Sequence, residues 1–65
     1  MGNGYYAPLK ALLLAHGCTR LRQGKGSHEI WLSPLDKRPF SVPVTIQSRN
    51  TANSILKQAG IAERL

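Results

Sequence analysis

Acidic residues are scarce in this chain: three Asp and Glu stand against nine Lys and Arg, a formal net charge of +6 with a sequence pI near 10.3. A balance that basic on a small domain favours nucleic acid or an acidic protein as partner over a neutral small molecule. Glu29 has no helper carboxylate near it in sequence, which removes glycosidase chemistry built on paired acids. Cysteine is limited to Cys18, so there is no internal disulfide and no second thiol for a zinc site. That usage fits a reducing cytoplasm. Long apolar runs are also missing. "ALLLA", the longest candidate, is far too short to span a bilayer, and nothing at the start reads as a signal peptide. "MGNGYY" begins Met-Gly, but Tyr6 stands where an N-myristoylation signal wants Ser or Thr. A soluble protein without a membrane partner is expected.

What is present suffices for one folded domain. The 65 residues are 42% apolar and 18% charged, a globular balance, and the single domain is taken to span residues 1–65. So short a chain buries a modest core.

"PLKALLLAHG" reads as a helix. Pro8 suits a first turn, Leu9, Leu12 and Leu13 make an apolar face that Ala11 and Leu14 widen, and Gly17 is a natural stop. "CTRLRQ" alternates as a strand, with Arg20 and Arg22 on one face. "GKG" is a turn and "SHEIWLS" a second strand. "PLDKRP" is a hairpin loop, and "FSVPV" a third strand with Phe40, Val42 and Val44 on one face and Pro43 marking a sheet edge or the end of the strand. A polar connection leads to a second helix capped by Asn50 or Thr51. Its stripe is Ala52, Ile55, Leu56 and Ala59, and Gly60 ends it. The order α-β-β-β-α predicts a two-layer α+β sandwich: a three-stranded antiparallel sheet with both helices on one face and the other face open to a ligand.

The segment "RQGKGSHEIW" carries the chemistry. Gly24 and Gly26 let backbone approach a ligand, and Lys25, Gly26 and Ser27 offer a charge, exposed N–H groups and a hydroxyl to a phosphate. Arg20, Arg22 and Arg38 add planar bidentate donors, and Arg49 lies where the second helix begins, a place suited to anions. His28 is the histidine of this segment, and imidazole is the side chain that ordinarily titrates near neutral pH. These are the parts for cleaving RNA by attack of a 2′-OH on phosphorus. Blander readings stand beside them. A Gly-Lys-Gly turn lacks the P-loop pattern, Trp31 can stack a base or simply pack, and Cys18 fits the core better than nucleophilic duty. His28 shares strand parity with Ile30 and Leu32. Either it sits at the strand mouth with its ring in solvent, or Trp31 faces the core and Ile30 does not.

Taken together, "NGYY", "RQGKGSHEIW", "VPV" and "SRNTANSILKQAGI" make the chain resemble the HicA (YcfA-like) family of type II toxin–antitoxin systems. The resemblance covers nearly the whole chain. It implies a fold like that of double-stranded-RNA-binding domains and a toxin that cleaves messenger RNA as a metal-independent endoribonuclease, with no cofactor. His28 is the catalytic residue it implies. The partners implied are mRNA and a HicB-like antitoxin that blocks the active site, with DNA met only through the antitoxin, in a prokaryotic cytoplasm. One departure is Asn50, where sequences of this family often carry His after Ser-Arg. The alternatives are a non-catalytic RNA-binding module of the same fold, and a basic domain whose role is to meet an acidic protein.

Overall fold

The computed structural model describes residues 4–35 and 38–65. Residues 1–3, part of the two N-terminal segments quoted above, and residues 36–37 of the expected hairpin loop lie outside them. The elements run α1 (Tyr6–Ala15), β1 (Thr19–Gln23), β2 (His28–Leu32), β3 (Phe40–Pro43) and α2 (Arg49–Gln58). The strands form one antiparallel sheet in the order β1-β2-β3, so the α-β-β-β-α arrangement of an α+β domain is what the chain adopts.

Both helices lie on one face of the sheet. Leu9 and Leu13 of α1, Ala52, Ile55 and Leu56 of α2, and Trp31, Phe40 and Val42 of the strands enclose one core with Cys18, Ala59 and Ile61. Burial of a leucine at such a site contributes about 1.5–3 kcal/mol, which is why these few side chains suffice to order so short a chain. The stripe expected for α2 is the stripe buried, and both helices stop at the expected glycines, Gly17 (φ 84°) and Gly60 (φ 80°).

Several expectations are corrected. Ala11 and Leu14 face solvent, because α1 packs only a narrow seam and Leu9 and Leu13 fill it. α2 is capped by Ser48, whose hydroxyl accepts from the Thr51 amide at 3.4 Å, while Asn50 and Thr51 lie inside the helix. Val44 is past the end of β3, and Ile46, in the connection that reads as polar, is buried.

The core face of β2 is also the reverse of the apolar parity. Trp31 is 1% exposed, whereas Ile30 and Leu32 are only half-buried on the open face with His28. The indole is the largest apolar surface in the sheet, so its burial dominates the choice. Finally, β1 carries an irregularity between Arg20 and Arg22: Arg20 pairs with Trp31 and Arg22 with Ile30. Paired residues share a face, so the two arginines point to opposite sides rather than sharing one.

The segments that follow β2 and α2 are tied in. The Ser33 hydroxyl donates to the Ala59 carbonyl at 2.7 Å and accepts from the Leu35 amide, joining the end of β2 to the end of α2. The Leu65 amide donates to Asn53 Oδ1 at 2.7 Å, so the tail docks rather than frays.

Candidate active site at the sheet end

The turn between β1 and β2, the end of β3 and the beginnings of both helices meet at one end of the domain. Val44 donates its amide to the Ser27 carbonyl at 2.8 Å, and Tyr5 donates to the Ile46 carbonyl at 2.9 Å. α2 returns from here to Ser33 at the far end of β2, so Arg49, its first residue, belongs to this end too.

The hairpin connection is braced from inside. Gly26 holds φ 64°, a left-handed conformation that glycine adopts without strain, and its carbonyl accepts from Gln23 Nε2 at 3.0 Å. Gly24 donates to the His28 carbonyl at 2.8 Å and so lies opposite His28, just past the end of β1. A side chain there would come within 3.1 Å of the His28 carbonyl oxygen and 3.2 Å of Ile30 Cδ1. His28 is therefore flanked by bare backbone at Gly24 on one side, and Pro43 is its partner on the other.

His28 is exposed at the start of β2, so its ring reaches solvent. Its Nδ1 lies 3.3 Å from the Lys25 carbonyl oxygen, which also accepts the His28 backbone amide at 3.2 Å. A carbonyl oxygen can only accept, so this contact places the proton of the neutral ring on Nδ1 and leaves the Nε2 lone pair open. Arg22, opposite Ile30, stands diagonally across from His28 on the open face, at a separation of about 7–8 Å that a long side chain spans. Lys25, Gly26 and Ser27 are exposed on the turn itself.

Two sequence candidates are not brought here. Arg20 projects to the helix side, where its Nε donates to Glu29 Oε2 at 3.0 Å. Arg38 precedes β3, whose first residue, Phe40, pairs with Trp31, whereas Pro43 pairs with His28. That register separates the two ends by about 10 Å of strand, and Arg38 lies beyond it. Trp31 is enclosed and offers no face for a base, and Cys18 is a core residue. His16 lies at the C-terminal end of α1, 2.9 Å from Glu63.

Glu29 is the residue that sequence reasoning passed over. Its carboxylate accepts from the Tyr6 hydroxyl at 2.7 Å, from Trp31 Nε1 at 3.0 Å and from Arg20. Burial pushes the carboxyl up, but the hydrogen bonds from Tyr6, Trp31 and Arg20 and the Arg20 charge outweigh it, and the group lies below its usual range. Burial first, and then the Glu29 hydrogen bond and charge, raise the Tyr6 phenol above its ordinary value. A sequence signal did exist: a lone acid beside a strand tryptophan must find donors if that face is buried. Among the described residues no group of three or more His, Cys, Asp or Glu is placed to hold a metal, and no helix is long and apolar enough to cross a membrane.

Fold and site together define a small basic α+β domain that presents an exposed histidine beside a glycine turn. Residues 8–61 match the family described as the HicA toxin of bacterial toxin–antitoxin systems. The chain belongs to that family and is a toxin whose counterpart is an antitoxin. Neither the curated proteins nor the solved structures include a significant match.

Proposed function

We propose that this toxin is an endoribonuclease that cleaves messenger RNA, with His28 as the general base. The observation that carries this reading is the anchored, exposed side chain: Nδ1 lies against the Lys25 carbonyl at the open start of β2. Nε2 removes the 2′-OH proton, the 2′-oxygen attacks the adjacent phosphorus, and the 5′-oxygen leaves with a proton from water at this open end. Lys25, Arg22 and the amides around Gly26 and Ser27 hold the phosphate and oppose the charge growing on its oxygens, and Arg49 extends the grip along the strand. The chemistry uses no metal and no cofactor. The antitoxin is HicB-like and meets this basic end with acidic groups. The toxin acts in a bacterial cytoplasm and reaches DNA only through that antitoxin.

The test is inducible expression of the wild type and His28→Ala in a bacterial host, following growth and message integrity. Arrest with message loss is expected for the wild type. His28→Ala, folding equally well, loses about 10²–10⁴-fold in cleavage rate. Equal growth and intact RNA in both strains would leave a non-catalytic RNA-binding module.

A further inference from the structure

The carbonyl oxygens of Lys25, Gly26 and Ser27, in the turn that leads into His28, each have a partner within the protein. The Lys25 oxygen accepts from the His28 amide at 3.2 Å, and the Ser27 oxygen accepts from the Val44 amide at 2.8 Å. The Gly26 oxygen is held by a side chain instead: Gln23 Nε2 donates to it at 3.0 Å. Arg20 Nη2 donates to the other end of that amide, Gln23 Oε1, at 3.3 Å. A guanidinium only donates and a carbonyl oxygen only accepts, so the Gln23 nitrogen has to face Gly26.

A trans peptide unit carries its C=O and the following N–H in opposite directions. Drawing the Gly26 oxygen toward Gln23 therefore turns the Ser27 N–H away from Gln23. Gln23 pairs with Glu29, whose carboxylate meets Tyr6 of α1, and it joins Arg20 and Glu29 on that helix-covered side of the sheet. The Ser27 N–H is thus turned toward the opposite side, where His28 stands with Ile30 and Arg22. Among the described residues that amide has no backbone acceptor. Gly26 has no Cβ to restrict its rotation, so the peptide between it and Ser27 depends on an outside contact for its orientation.

We propose that Gln23 is a positioning residue of the site: by holding the Gly26 carbonyl inward it aims the Ser27 N–H at the phosphate that the 2′-oxygen attacks. That N–H then opposes the negative charge growing on a non-bridging phosphate oxygen as the new bond to phosphorus forms. Gln23 acts only through the turn. The role rests on the ribonuclease reading given above.

The experiment compares wild type with two variants. Gln23→Met keeps the length of the side chain and removes both polar atoms, whereas Gln23→Glu keeps an oxygen for Arg20 and loses the donor to Gly26. Gln23 is exposed, so both should fold. In steady-state cleavage of an oligoribonucleotide, Gln23→Met should lower kcat on the order of 10-fold with KM within about twofold, short of the roughly 10²–10³-fold lost when such a donor is removed outright. Gln23→Glu should lose at least as much in kcat. A second readout needs no turnover. On binding a 2′-O-methyl oligoribonucleotide, which lacks the attacking hydroxyl, the wild-type Ser27 amide proton should move downfield in NMR spectra. In Gln23→Met that movement should be lost, while the Gly24 amide, bonded to the His28 carbonyl, stays in place. Unchanged kcat in both variants, with wild-type cleavage intact, overturns the positioning role and leaves the ribonuclease reading standing. A fall in kcat with the Ser27 movement retained also overturns it, since Gln23 would then act by another route. Absence of cleavage by the wild type would remove the ribonuclease reading itself, and this role with it.

Discussion

Tyr6 in the first turn of α1 and Glu29 in the middle strand share a hydrogen bond of 2.7 Å across the layers of the domain. Glu29 follows His28 in the chain and points to the other side of the sheet, so the strand that presents the imidazole outward is anchored inward through its neighbour. Trp31 and Arg20 complete the anchor. The carboxylate side chain is only 12% exposed, and these donors replace the water it has lost.

This couple predicts a pH dependence of stability at both extremes. Glu29 lies below its unfolded value, so its contribution is present above the ordinary carboxylate range and is lost as pH falls through the depressed folded value. Tyr6 lies above its unfolded value near 10.0, so its contribution is full below that pH and is lost as pH rises through the raised folded value. In Tyr6→Phe the alkaline loss should disappear and the acid transition should move to higher pH, at a cost of about 1–3 kcal/mol near neutrality. Urea unfolding measured at a series of pH values checks both. An unchanged acid limb would mean that the phenol does not support the carboxylate.

The irregularity in β1 predicts that two arginines two residues apart behave differently. Arg22→Gln should change stability by less than ~0.5 kcal/mol while raising KM for RNA, because its side chain faces the His28 side. Arg20→Gln should lower stability by about 1 kcal/mol and raise the Glu29 pKa, with little effect on KM. Thermal melts and cleavage kinetics on both variants decide this. Equal KM changes would place both side chains on one face after all.

Trp31 predicts a packing phenotype. Trp31→Ala should cost about 3–5 kcal/mol, comparable to the whole stability of a domain this small, and should leave it unfolded. Trp31→Phe retains most of the apolar volume but removes the Nε1–H that Glu29 accepts, so it should fold with reduced stability and bind RNA within about twofold of wild type. A tenfold loss of RNA affinity in a folded Trp31→Phe would show that the indole stacks on a base.

Much of this protein was legible before folding was considered. Apolar spacing located α2 and its buried stripe, the glycines marked where both helices end, and Pro43 marked an edge or the end of β3. These features depend on residues within a turn or two of one another, where helix period and backbone sterics act directly. The Gly-Lys-Gly turn leading into His28 was legible for the same reason.

Tertiary structure alone decided which face of β2 is inside. Alternation separates His28, Ile30 and Leu32 from Glu29 and Trp31, but it assigns neither set to the core. The helices could enclose the indole only by also drawing in the Glu29 carboxylate, which Tyr6 and Arg20 then satisfied from distant points in the chain. The irregularity that divides Arg20 from Arg22, and the strand register that carries Arg38 away from His28, are likewise properties of pairing. A period-two pattern says which side chains lie together, and only the partner across the sheet determines what they face.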